Sequence, residues 1–173
     1  MSYLAIVDLG SNSARMVVEE LHDDGTYTEL IREKQDTRIA QNMGHDLILK
    51  ELPIARTILA LKYFQTKYAS FKPEVRAITT AAVRMAVNQA EFLARVKFET
   101  GIEFQVLTGE EEAHYDYLGV MSTLTVDEAV ILDTGGASVE IIAVSNGKNI
   151  ADVSLPFGAV SLSEQFNLAN DIN

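Results

Sequence analysis

The chain opens on short apolar runs separated by polar turns. Leu4–Asp8, Ala14–Glu20 and Tyr27–Lys34 each read as a strand, and Asp23-Asp24-Gly25 supplies a turn before the third. They predict a three-stranded antiparallel meander. The period then changes. After Pro53, apolar residues fall at Ile54, Ile58, Leu61 and Phe64, the spacing of one helix face with proline near its start. Val75–Thr79 reads as a strand after Pro73. Asn88 stands where a helix cap is wanted, before a helix running through Phe98 and ended by Gly101. Ile102–Leu107 is another strand, and Thr108 starts a helix toward Met121. The predicted order is β-β-β-α-β-α-β-α.

Thr123–Asp127 is short and polar, and the pattern restarts after it. Ala129–Asp133 is apolar and ends in aspartate. Ser138–Val144 follows, then the hairpin signal Asn146-Gly147, then Asn149–Leu155. From Gly158 a helix begins. The restart predicts one complete domain over residues 1–124 and the beginning of a second, truncated one over 125–173.

The restart is also an internal repeat. Asp8-Leu9-Gly10-Ser11-Asn12-Ser13 and Asp133-Thr134-Gly135-Gly136-Ala137-Ser138 share the form D-x-G-x-x-S, each after an apolar strand and before another. Glycine lets a backbone approach phosphate and leaves amides free to donate, while Ser and Asn add short donors. A strand-terminal aspartate can hold a metal or a metal-bound water. The plainer reading is a pair of β-turns whose Asp, Gly and Ser satisfy turn geometry. Recurrence in the same slot of two similar units favours the phosphate-facing reading.

Composition narrows the class. Apolar residues make up 47% of the 173, enough for an ample core. There is no cysteine, which excludes disulfides and thiolate metal sites and fits a reducing compartment. No apolar run is long enough to span a membrane. Net charge is −11, against a general nucleic-acid surface. From residue 125 onward Lys148 is the only basic side chain, against seven acids. A polyanion would therefore meet its cations in the first part, and a divalent cation its carboxylates in the second.

These units resemble the actin-like (ribonuclease H-like) superfold: an α/β architecture of mixed sheet with flanking helices. Within it, Asp8–Ser13, Thr108-Gly109-Glu110-Glu111-Glu112-Ala113 and Asp133–Glu140 are similar to signatures of the exopolyphosphatase / guanosine-pentaphosphatase (Ppx/GppA) family. Thr79-Thr80-Ala81-Ala82-Val83-Arg84 resembles a fourth. The resemblance implies a cytoplasmic phosphohydrolase that releases terminal phosphate from inorganic polyphosphate or guanosine pentaphosphate with Mg²⁺ as cofactor. Glu112 and Arg84 take its catalytic positions. Asp8, Gly10, Ser11, Asn12, Ser13, Arg15, Gly135, Gly136 and Ser138 take phosphate-facing ones. Asp133 and Glu140 take the metal positions. Lys34 and Arg38 fall in a stretch that often carries basic residues. The chain departs from the family at Ala137, where glycine is usual, and at Val139, where threonine is usual.

Plainer explanations stand beside these. Thr108-Gly109-Glu110-Glu111 reads as a capping box, and Glu112 by itself is one more first-turn acid favoured by the helix dipole. Arg15 and Arg84 could each lay an apolar stem on the surface. His22, His45 and His114 show no ligand spacing. A nucleotide-dependent kinase or ATPase of the same superfold, or a non-catalytic regulatory module, is the alternative function. A homodimer is expected, associating through residues 125–173.

Overall fold

The computed structural model describes residues 2–166 and Leu168. The last residues of the 125–173 segment lie outside that range. The meander is present: β1 (Ser2–Leu9), β2 (Ala14–Leu21) and β3 (Tyr27–Gln35) pair antiparallel in sequence order. Two later strands, β4 (Glu74–Thr79) and β5 (Phe104–Val106), join parallel on the other side of β1, giving the order β3-β2-β1-β4-β5. Parallel neighbours need crossovers, and helices α1 (Glu51–Tyr68) and α3 (Gln89–Thr100) lie in those connections.

Helix α1 buries the stripe read from the sequence, Ile54, Ile58, Leu61 and Phe64, in the core of the first sheet with Val7, Leu9 and Met16. It begins at Glu51, so Pro53 lies in its first turn, where the N–H has no helical acceptor to lose. Helix α3 ends as expected, with Gly101 left-handed at φ 72°. Asn88 precedes it, but its side chain makes no cap. It instead exchanges two hydrogen bonds with the Leu49 backbone, at 2.9 and 3.0 Å, and ties the approach to α1 onto α3. A short helix, α2 (Ala81–Met85), was not apparent from the sequence, because five residues are too few to show a period.

The second sheet has the order β6-β7-β8, from β6 (Glu128–Thr134), β7 (Val139–Ser145) and β8 (Lys148–Leu155), all antiparallel. Asn146 and Gly147 turn β7 into β8 with φ of 50° and 68°, the two positive values that this tight hairpin demands. Helix α4 (Gly109–Thr123) packs on the sheet, with Ala113, Tyr117 and Met121 against Ile142 and Val144. Tyr117 Oη donates to Gly147 O at 2.8 Å. Thus α4, which precedes the polar stretch at 123–127, is seated on the sheet that follows it. A short helix α5 (Ala159–Gln165) closes the described chain. No helix among the described residues is long and apolar enough to cross a membrane.

Candidate active site

The two D-x-G turns are structural copies. Gly10 N donates to Ser13 O at 3.1 Å, and Gly135 N donates to Ser138 O at 3.0 Å. In each hairpin the aspartate faces the residue seven positions on: Asp8 opposite Arg15, and Asp133 opposite Glu140. Arg15 Nη1 reaches Asp8 Oδ2 at 3.9 Å, whereas Glu140 adds a second carboxylate beside Asp133. The turns also touch. A Cβ on Gly136 would lie 2.9 Å from Ser11 Cβ, so glycine is what permits the approach.

Between the turns lies a cleft of about 700 Å³. Asp8, Gly10, Ser11, Asn12, Ser13 and Arg15 line it from the first turn, and Asp133, Gly135, Gly136 and Ser138 from the second. Lys34 and Arg38 add positive charge to the first side, and Glu112 enters from α4. The Gly10 and Gly135 amides are committed to closing their own turns. The N–H groups of Ser11, Asn12, Gly136 and Ala137 meet no backbone acceptor among the described residues. The amides of Ala159 and Val160, at the start of α5, donate to Gly135 O and Gly136 O at 2.9 and 2.8 Å and hold the second turn from behind.

The capping box at the start of α4 is formed in full. Thr108 Oγ1 accepts from Glu111 N at 3.1 Å, and Glu111 Oε2 accepts from Thr108 N at 2.8 Å. That accounts for Glu111 and leaves Glu112 free of capping duty. Glu112 Oε2 instead accepts from Arg84 Nη1 at 2.8 Å, and the same nitrogen donates to Leu107 O at 2.8 Å. Burial pushes the Glu112 carboxyl above the usual range, and Arg84 partly opposes that push. Arg84 is therefore occupied with Glu112 and does not line the cleft.

Glu140 is fully buried, and Ser154 Oγ donates to its Oε1 at 2.7 Å. Asp116, one turn beyond Glu112 on α4, escaped the sequence reading. It lines the cleft, and one oxygen each of Asp116, Asp133 and Glu140 lie within 4.8 Å of one another. Asp116 Oδ2 is buried without a hydrogen-bond partner. Desolvation, reinforced by Asp133, Glu140, Glu112 and Asp8, pushes the Asp116 carboxyl up to about 7. Burial likewise raises Asp8, against Arg15 and with help from Asp133. Crowded carboxylates with an orphaned buried oxygen are the donor set of a hard divalent cation, so the cluster can bind a metal.

The two departures are also placed. Ala137 is buried in the core of the first sheet and is not among the cleft-lining residues. Val139 neighbours Glu140 on β7 and so faces the other side of the sheet. His22, His45 and His114 are exposed.

Paired turns on two sheets, with helices in the crossovers, define an actin-like α/β protein. EutJ from Carboxydothermus hydrogenoformans shares the fold at 19% identity and a TM-score of 0.58, over 100% of this chain and 58% of that one. An exopolyphosphatase from Cytophaga hutchinsonii superposes with a TM-score of 0.90 at 24% identity, over 95% of this chain and 54% of that one. The Aquifex aeolicus Ppx/GppA family member is 35% identical, with a TM-score of 0.77 over 95% of this chain and 54% of its own. A profile of the Ppx/GppA phosphatase family matches residues 17–172. The chain belongs to the Ppx/GppA phosphatase family and spans about half the length of these solved relatives.

Proposed function

We propose that this chain carries the catalytic cleft of a phosphohydrolase that releases terminal phosphate from inorganic polyphosphate or guanosine pentaphosphate. The observation that carries the reading is the position of Glu112: shielded, facing the cleft between the two turns, and not needed as a cap. Phosphoanhydride hydrolysis asks little covalent chemistry of a protein and a great deal of positioning. Glu112 orients the attacking water and takes its proton, which suits a carboxyl raised by burial. Arg84 holds that carboxylate in place through its 2.8 Å contact. Arg15, Lys34 and Arg38 attract the anion to the first side of the cleft, and the amides of Ser11, Asn12 and Gly136, with the Ser13 and Ser138 hydroxyls, bind phosphoryl oxygens.

Asp133 and Glu140 would hold Mg²⁺, and the buried oxygen beside them fits that assignment. When bound, Mg²⁺ supplies positive charge that offsets the phosphoryl oxygens. We read residues 1–124 and 125–173 as the first domain and the start of the second of a longer cytoplasmic enzyme. The test is phosphate release by the full-length protein from each substrate, with and without Mg²⁺. No release from either substrate in the presence of Mg²⁺ would sink the reading.

A further inference from the structure

We infer that Asp116 is a third carboxylate ligand of the divalent cation, and that this cation site is assembled before any phosphate arrives. The inference rests on the metal assignment above and adds a residue from a different element. Asp133 and Glu140 are cross-strand neighbours on β6 and β7, and Asp116 comes down from α4 onto the same point. Asp133 and Glu140 are set by sheet register, and Ser154 pins Glu140 further. Rigid elements hold ligands better than loops do.

The observation that selects Asp116 is its Oδ2, sealed from solvent with no donor in reach. A buried acceptor left unpaired is costly and uncommon in folded proteins. The nearby arginines do not relieve it. Arg84 is paired with Glu112 and Arg15 with Asp8, and among the described residues no ion pair involves Asp116, Asp133 or Glu140. A hard cation satisfies the orphaned oxygen and neutralises the cluster at once. A water would satisfy the oxygen but leave the charges unbalanced. Asp116 lies four residues from Glu112 on one helix, so both project from one face of α4. The helix that carries the base thus also carries a ligand, and the two groups cannot drift apart.

The experiment is a titration of the metal-free chain with Mn²⁺, without phosphate, followed by loss of the free-ion electron paramagnetic resonance signal. The unsubstituted chain should bind the ion. Asp116→Asn should weaken binding by at least roughly 10–100-fold, the scale already set by losing a group that only orients a ligand. Asp133→Asn should do the same, and Glu110→Gln, an exposed acid of the same helix, should do nothing. Asp116→Asn relieves repulsion and should fold; its melting temperature should rise less on adding Mn²⁺ than that of the unsubstituted chain. If Asp116→Asn binds Mn²⁺ as tightly as the unsubstituted chain while Asp133→Asn does not, Asp116 is no ligand and the proposed hydrolysis is untouched. If the unsubstituted chain binds no Mn²⁺ until phosphate is added, the preassembled site is wrong. Normal Mn²⁺ binding with no phosphate release by the full-length protein would overturn the functional reading alone.

Discussion

Arg84 Nη1 lies 2.8 Å from Glu112 Oε2, with the two side chains 23% and 15% exposed. The contact joins α2 to α4 and so links the first sheet to the helix seated on the second. Its first consequence is for Glu112. Glu112→Gln can still accept from Arg84 but cannot take a proton near neutral pH. In the full-length enzyme, turnover should fall by about 10²–10⁴, the usual worth of a positioned base. Substrate affinity should hold or improve, because one negative charge leaves the neighbourhood of a polyanion. Glu110→Gln and Glu111→Gln are the controls, and equal modest losses at all three positions would remove Glu112 from the role of base.

Arg84→Ala removes two hydrogen bonds, to Glu112 and to Leu107 O, and leaves a shielded carboxylate without its cation. Denaturant unfolding should show a loss of about 1–3 kcal/mol. Arg84→Lys restores charge but not the geometry of the guanidinium, so it should recover only part of that loss. The carboxyl of Glu112, deprived of the group that lowers it, should titrate higher still, moving the acid limb of the pH–rate profile upward. Unchanged stability and an unchanged limb would return Arg84 to the surface.

Asp116 gives a pH dependence with a definite sign. Its folded value of about 7 stands above the ordinary aspartate value of 3.8, so the folded chain holds this proton more tightly than the unfolded chain does. The contribution is complete below about pH 4 and is lost as pH rises through about 7. The metal-free chain should therefore melt at lower temperature as pH is raised across that window, and Asp116→Asn should flatten the trend. A melting temperature that rises with pH in both proteins would contradict the assignment.

The second sheet leaves one face uncovered. Val130, Leu132 and Val153 are 66%, 64% and 45% exposed on the side opposite α4. A contiguous apolar face of this kind favours association. The chain should self-associate at high concentration, and Leu132→Lys should weaken the complex by like-charge repulsion and lost burial. Light scattering that finds a monodisperse monomer for the unsubstituted chain would exclude the association.

What the sequence revealed follows from the length scale of each signal. The meander and the α1 stripe were legible because a bounded apolar run and helical spacing each persist over several residues, at Leu4–Asp8 and Ile54–Phe64. The placement of β4 beside β1 and of β5 beside β4 was not, since parallel pairing leaves no local mark. Asn88 misled because the same amide that can cap a helix can bond a distant backbone, and Leu49 lies 39 positions away. In the cleft, the D-x-G turns announced themselves by repetition. Arg84 and Glu112 were both singled out, but their pairing was not, because ion pairing across 28 positions has no sequence signature. Asp116 could have been found: an acid four residues after Glu112 on a helix shares its face.

The two hairpins repeat a backbone and reverse a charge. Where one copy sets Arg15 across from its aspartate, the other sets Glu140. A duplicated scaffold has thereby become a directional one through a single side chain per copy. A long, uniform anion has no intrinsic head or tail in its interior, so any sense of direction in handling it must come from the protein. This pair of turns gives the cleft two unlike sides, one carrying Arg15 and the other Glu140, so the asymmetry belongs to the walls.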